Sequence, residues 1–246
     1  MLRLQIKLSK NDKIYYKYLD ILHDALVSAL AAAGAKSEQI TGMNALPWNF
    51  GALGGQDKQG NQIHTLIVST PDATLAKFLH KINPAEIRYA RASTVEVVDF
   101  AKAKISIEDD PIMPGQNILG VLMLSPLLVS KRKIESSRKN GKRWHKHLGQ
   151  FDLSAAINHR LSRFAGRDIN LQVQPDSLYI RINPDHSVLV PTKQVHGKSV
   201  FVIGMKAPLV LTGSEADLRF AWYAGIGEKT RNGFGCIGLA EQGVGR

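Results

Sequence analysis

The sequence predicts an α+β fold made of two tandem β-α-β-β-α-β halves. Three observations carry that reading. Strand-like alternation and helix-like spacing follow one another in the same order twice along the chain. Between the two runs lies Glu108-Asp109-Asp110-Pro111-Ile112-Met113-Pro114-Gly115, whose acids, prolines and glycine mark a linker. The 246 residues, 44% of them hydrophobic, suit two domains of roughly one hundred residues that each bury a core. The expected division is 1–107, a linker at 108–117, and 118–246.

In the first half, residues 2–8 alternate apolar and polar as a strand. From Ile14 to Ala33 the apolar positions Tyr15, Tyr18, Leu19, Leu22, Leu26, Ala29, Leu30 and Ala33 recur at helical spacing, and Gly34 ends the helix. Residues 42–60, rich in Gly and Asn around Pro47, Trp48 and Phe50, read as an irregular loop, with a weak strand somewhere in 38–46. Gln62 to Ser69 is the next strand. Thr70-Pro71-Asp72 starts a short helix with Pro at its first position, and Ser93 to Lys104 alternates as a last strand. The second half predicts strands at 118–129, 178–182, 200–211 and near 235–240. Its helices span 152–164, capped by Asp152, and 214–224, opened by Ser214-Glu215-Ala216-Asp217. This order is the ferredoxin-like plan.

Charge narrows the function. Thirty-two Lys and Arg against 21 Asp and Glu leave a formal charge of +11, which favours a polyanionic partner. A membrane is disfavoured, because no apolar stretch approaches the roughly 18 residues of a spanning helix. The N-terminus alternates like a strand rather than forming a signal-peptide core. Cys236 is the one cysteine, so neither a disulfide framework nor a cysteine zinc site can be built. The expectation is a cytoplasmic nucleic-acid-binding protein without a cofactor.

The most specific segment is Gly225-Ile226-Gly227-Glu228-Lys229-Thr230-Arg231-Asn232-Gly233-Phe234-Gly235. Backbone lacking Cβ atoms approaches phosphate closely, and Lys229 and Arg231 add charge. No Gly-Lys-Ser/Thr ends it, so it is not a Walker A loop. It follows a helix and leads into a strand, the reverse of a dinucleotide fingerprint. Gly233-Phe234-Gly235-Cys236-Ile237 echoes an RRM core, but Cys236 stands where a second stacking aromatic belongs.

Over its whole length the chain resembles the RAMP superfamily of CRISPR-associated proteins, and within it the repeat-processing endoribonucleases, closest in character to the stem-loop cutters. The glycine-rich segment after the last helix carries the resemblance. Leu122-Met123-Leu124-Ser125-Pro126-Leu127 is similar to the apolar-Ser-Pro strand that opens the second domain in many members. The resemblance implies metal-independent cleavage of CRISPR repeat RNA, a stem-loop, by its own 2′-hydroxyl, and retention of the crRNA product. It also admits a catalytically silent subunit that holds guide RNA beside other subunits of an effector complex.

Such a reaction needs proton transfer and stabilisation of the phosphorane. Histidine suits the first, and of the eight histidines His23 stands out. Its helical neighbours Leu19, Leu26, Val27 and Leu30 put it at the edge of the buried face, with Asp20 one turn away as a candidate orienter. A histidine there equally packs at the core edge. Leu22-His23-Asp24-Ala25-Leu26-Val27 resembles the stem-loop-cutting segment whose first-helix histidine is catalytic, which implies that role for His23. Some members pair it with a tyrosine; spacing assigns Tyr15 and Tyr18 to the core and leaves Tyr16 open. Lys36 is more in keeping with a solvated lysine than with a phosphate ligand.

The insertion 131–147 holds Lys131, Arg132, Lys133, Arg138, Lys139, Lys142, Arg143 and Lys146 against Glu135 alone. A charge run is commonly a solvated face, yet eight cations with one anion repel one another until a polyanion neutralises them. This run, with Gly225, Gly227, Lys229, Arg231, Gly233 and Gly235, forms the expected RNA-binding set. His145 and His147 are assigned to RNA contact rather than proton transfer.

Overall fold

The computed structural model describes residues 1–58, 60–131 and 143–240. The chain forms two compact units, the first comprising Met1–Asp109 with Pro191–Phe201 and Arg231–Gly233, the second Asp110–Val190, Val202–Thr230 and Phe234–Arg246.

The first unit is built on β1 (Leu2–Lys7), α1 (Leu19–Ala32), β2 (Asn49–Leu53), β3 (Thr65–Thr70), α2 (Ala73–Leu79) and β4 (Lys104–Ile107). Its sheet order is β2-β3-β1-β4, and every neighbouring pair is antiparallel. This is the ferredoxin-like arrangement. β1 is central, so its alternation buries Leu4 and Ile6 on one face and Arg3 on the other. Arg3 meets Glu108 at 3.0 Å, the pairing a buried guanidinium requires. α1 buries Leu19, Leu22, Leu26, Ala29 and Leu30, the stripe its spacing predicts.

The second unit repeats the plan with β5 (Ile118–Met123), α3 (Leu153–Ala165), β6 (Gln172–Pro175), β7 (Leu209–Thr212), α4 (Glu215–Ala224) and β8 (Ile237–Leu239), ordered β6-β7-β5-β8. Local chemistry sets both helices. Asp152 caps α3 by accepting from the Ala155 amide at 2.9 Å, and Gly166 ends it with φ +64°. Ser214 caps α4 by accepting from the Asp217 amide at 3.2 Å.

Several elements differ from expectation. Ile14–Tyr16 is a short strand paired with Gly60–Ile63, so α1 begins at Leu19; its β-branched and aromatic side chains suit a ladder as well as a helix. The second strand of the first half is β2, inside the segment read as a loop, and Ser37–Ile40 is a helical turn rather than a weak strand. Asp72 is the cap of α2, accepting from Leu75, which places Pro71 before the helix. The alternation of 93–104 belongs to a hairpin, Arg88–Arg91 with Glu96–Asp99, and β4 follows it. Residues 178–182 lie in a helix, Ser177–Ile182, because the Asp176 side chain accepts from Tyr179 and caps it. A short apolar run has no periodicity to separate helix from strand. The stretch 200–211 breaks at Lys206–Pro208 into Lys198–Met205, hairpinned with Ser187–Val195, and β7. Among the described residues no helix is long and apolar enough to cross a membrane.

Candidate RNA-cleavage and RNA-binding site

His23 sits half-buried on α1. Its Nδ1 lies 2.7 Å from the Arg231 carbonyl oxygen. A carbonyl only accepts, so Nδ1 carries the proton and Nε2 is the nitrogen left for chemistry. The ring stacks on Trp48 at 5.8 Å and 10°, and Trp48 stacks on Phe50 at 6.0 Å. Trp48 is itself pinned by its indole N–H, which donates to the Ile40 carbonyl at 3.0 Å.

Asp20 does not orient the histidine. Arg91 binds Asp20 at 2.7 Å and Asp24 at 2.6 Å. Burial holds the Asp20 carboxyl above its usual range even beside Arg91. The N-terminus of α1 lacks a cap of its own; Glu96 supplies one, its Oε1 accepting from the Lys17 and Tyr18 amides at 2.6 and 3.1 Å. Hairpin 88–99 thus holds α1 at two points. Burial pushes the Tyr16 phenol up to about 12, which disfavours it as a proton acceptor near neutrality. Lys36 is exposed.

Arg231 contributes more than its carbonyl. Its guanidinium is half-buried, burial lowers its pKa, and Nη1 is buried without a hydrogen-bond acceptor among the described residues. An unpaired buried N–H is costly until an acceptor reaches it, and for a guanidinium the best acceptor is an anion.

The glycines of 225–235 have a reason nearer home than phosphate. A Cβ on Gly233, at φ +83°, would lie 2.8 Å from the Phe50 ring and 2.9 Å from Leu19 Cδ2. One on Gly227, at φ +81°, would meet the Leu128 carbonyl at 2.7 Å. Gly235 likewise abuts the Ile226 carbonyl, while Gly225 is the C-cap of α4 with φ +71°. The glycines let the segment press against its own protein. The Ser-Pro motif does the same from the other side. Ser125 Oγ accepts from the Cys236 amide at 2.9 Å, and the Pro126 carbonyl accepts from Gly235 at 2.9 Å.

Lys229 is exposed, and its Nζ lies 5.3 Å from the Trp144 ring centroid, with the Arg143 guanidinium at 5.1 Å. Residues 129–131 pair with 143–145 through Lys131 N to Arg143 O, His145 N to Val129 O and the Ser130–Trp144 bridge. The structure therefore groups Arg143 and Lys229 around Trp144, with Lys131 joined to Arg143 through the backbone, and Lys146 is exposed beside them in sequence. Arg132, Lys133, Arg138, Lys139 and Lys142 lie outside the described residues. His145 is buried and stacks on Phe151 at 4.2 Å.

Sequence reasoning missed the Arg231 carbonyl, Trp48, Arg91 and Glu96. A backbone acceptor 208 positions from His23 leaves no trace in residue type. Trp48 carried a signal, since a lone tryptophan in a polar loop needs a packing partner.

The family model described as "CRISPR associated protein Cas6, C-terminal" matches residues 108–239, more than half of the chain. The chain belongs to the CRISPR-associated Cas6 family. Among solved structures, a Cas6-related gene product from Pyrococcus furiosus superposes with TM-score 0.70 at 15% identity, covering 98% of this chain and 99% of that one. "An RAMP protein binding different RNA substrates" gives 0.67 at 16% identity, covering 98% and 100%. A Cas6 product complex gives 0.58 at 14% identity, covering 97% and 98%. At these identities the likeness is one of fold. No curated protein matches the chain.

Proposed function

We propose that this Cas6-family chain is a metal-independent endoribonuclease that cleaves CRISPR repeat RNA with His23 as general acid/base and keeps hold of the crRNA. The observation that carries the proposal is the hydrogen bond from His23 Nδ1 to the Arg231 carbonyl. It leaves Nε2 to exchange a proton with RNA: neutral, it takes the proton of the 2′-hydroxyl; protonated, it gives one to the departing 5′-oxygen. The 2′-oxygen forms its bond to phosphorus as the bond to the 5′-oxygen breaks. The products are a 2′,3′-cyclic phosphate and a 5′-hydroxyl. The desolvated Arg231 guanidinium suits a phosphate, and the cations around Trp144 in the second unit suit phosphates of their own.

The rival is a silent subunit that only holds guide RNA, possessing the same fold. A binding-only subunit has no use for a histidine whose tautomer is set. The decisive experiment incubates purified protein with the CRISPR repeat RNA in EDTA, wild type beside His23→Ala. Cleavage by the wild type, slowed by roughly 10²- to 10⁴-fold in the variant with RNA binding retained, is expected. Binding without cleavage by the wild type would favour the silent subunit, and a strict magnesium requirement for the chemical step would remove this mechanism.

A further inference from the structure

In the second unit a cleft of about 550 Å³ opens beside the glycine-rich segment, lined by Ser130, His145, Phe151, Asp152, His159 and Glu228 among others. That is the volume of a small-ligand site. One wall is aromatic, the stacked rings of His145 and Phe151. The polar side is dominated by Glu228, which is held from two directions. Its amide donates to the Leu128 carbonyl at 2.9 Å, and its Oε1 accepts from the Ser130 amide at 2.8 Å and the Ser130 hydroxyl at 2.5 Å. Oε1 is thereby occupied. Oε2 has no protein donor among the described residues and remains an acceptor on a fixed carboxylate. Asp152, the α3 cap, adds a second carboxylate to the lining.

Two carboxylates repel phosphate, so the cleft does not suit the backbone of a polyanion. The cations sit one residue away instead. Ser130 is followed by Lys131, His145 by Lys146 and Glu228 by Lys229, and Lys146 and Lys229 are exposed. Three of the segments that line the cleft thus place a Ser, His or Glu side chain in it and a lysine next to it. That pattern fits a nucleotide held by its phosphates outside and its base inside. A fixed carboxylate acceptor favours the base with an amine at the 4-position: cytosine offers two N–H groups there, whereas uracil sets the O4 carbonyl against the carboxylate and has only an N3–H between two carbonyls.

We infer that this cleft is a single-nucleobase subsite that takes an unstacked base bearing an exocyclic amino group, with Glu228 as its specificity-determining acceptor. The inference deepens the RNA-binding reading above and rests on it for the source of the base.

Cytidine and uridine 5′-monophosphates test it, because the two pyrimidines differ only at the 4-position and its neighbouring N3. Each is titrated into the full chain while the Ser130 and Gly227 amides are followed by ¹H–¹⁵N NMR. Cytidine monophosphate is expected to shift those amides and to bind about tenfold tighter than uridine monophosphate, within the discrimination of one good base contact. Glu228→Gln, whose amide offers donor and acceptor alike, should bring the two within roughly twofold. Should that variant fail to fold, the wild-type comparison decides alone. Equal binding of the two nucleotides, or shifts confined to other amides, overturns the subsite. Repeat RNA carrying single cytidine-to-uridine changes separates the two readings. Wild-type protein that binds repeat RNA but leaves the cleft amides unmoved by either nucleotide sinks the subsite and spares the function. Base-selective nucleotide binding by a chain with no affinity for repeat RNA does the reverse.

Discussion

Replacing Gly233 by Ala tests the link between the glycine-rich segment and His23. The residue adopts φ +83°, and a side chain in that region costs about 1–2 kcal/mol. The new Cβ would lie 2.8 Å from Phe50 Cε2 and Cζ and 2.9 Å from Leu19 Cδ2, well inside the roughly 3.5–4.0 Å of a comfortable carbon contact. Overpacking of that kind costs about 1–3 kcal/mol, so the total is about 2–5 kcal/mol against a domain stability of about 5–15 kcal/mol. Phe50 cannot swing clear without disturbing Trp48, on which it stacks, and Trp48 is the ring under His23. The cheaper relief lifts residues 231–233, and with them the carbonyl that holds the His23 tautomer. The variant should fold, unfold at lower urea, and cleave repeat RNA at least tenfold more slowly under single turnover. The ¹⁵N resonances of the His23 ring should report loss of the fixed Nδ1–H tautomer. An unchanged urea midpoint with undiminished cleavage would refute the argument, and a lower midpoint with full activity would show that the carbonyl does not matter.

Three further outcomes follow from other contacts. Glu96→Ala removes the acceptor shared by the Lys17 and Tyr18 amides and should cost about 1–3 kcal/mol in urea unfolding, with Glu96→Gln costing less because an oxygen remains; equal losses would mean that the cap is not what holds α1. Replacing Arg143, Lys146 and Lys229 together with Ala should flatten the log–log salt dependence of hairpin RNA binding by about 2–3 units, one counterion-releasing contact each, and an unchanged slope would make them solvated bystanders. Burial raises the Asp217 carboxyl, but hydrogen bonds from Arg167, the Asn170 amide and Ser214 outweigh it and leave it below its usual range. A depressed folded value stabilises above the unfolded value of about 3.9 and is lost as pH falls through the folded one. The stability gap between wild type and Asp217→Asn should therefore be widest near neutrality and narrow in acid, and a gap independent of pH would show that the charge contributes nothing.

What could be read from the sequence was whatever a few neighbouring residues determine among themselves. The stripe Leu19, Leu22, Leu26, Ala29, Leu30 makes α1 whichever partner covers it. Asp152 and Ser214 cap helices with their own side chains a few residues on. The doubled order of elements and the place of the glycine-rich segment follow from such local signals. Where local signals were balanced, tertiary pairing decided. Ile14–Tyr16 joined a strand because Gly60–Ile63 lay ready to pair with it, and the run at 178–182 became a helix once Asp176 capped it. The site belongs to the second kind. His23 was legible as a polar residue on the border of an apolar face, but which of its ring nitrogens stays free is decided by a backbone carbonyl at Arg231, its ring is held flat by Trp48, and its two neighbouring carboxylates are claimed by Arg91. A hydrogen bond to a carbonyl depends on where the fold brings the backbone and not on which side chain that residue bears, so only the tertiary structure could assign it.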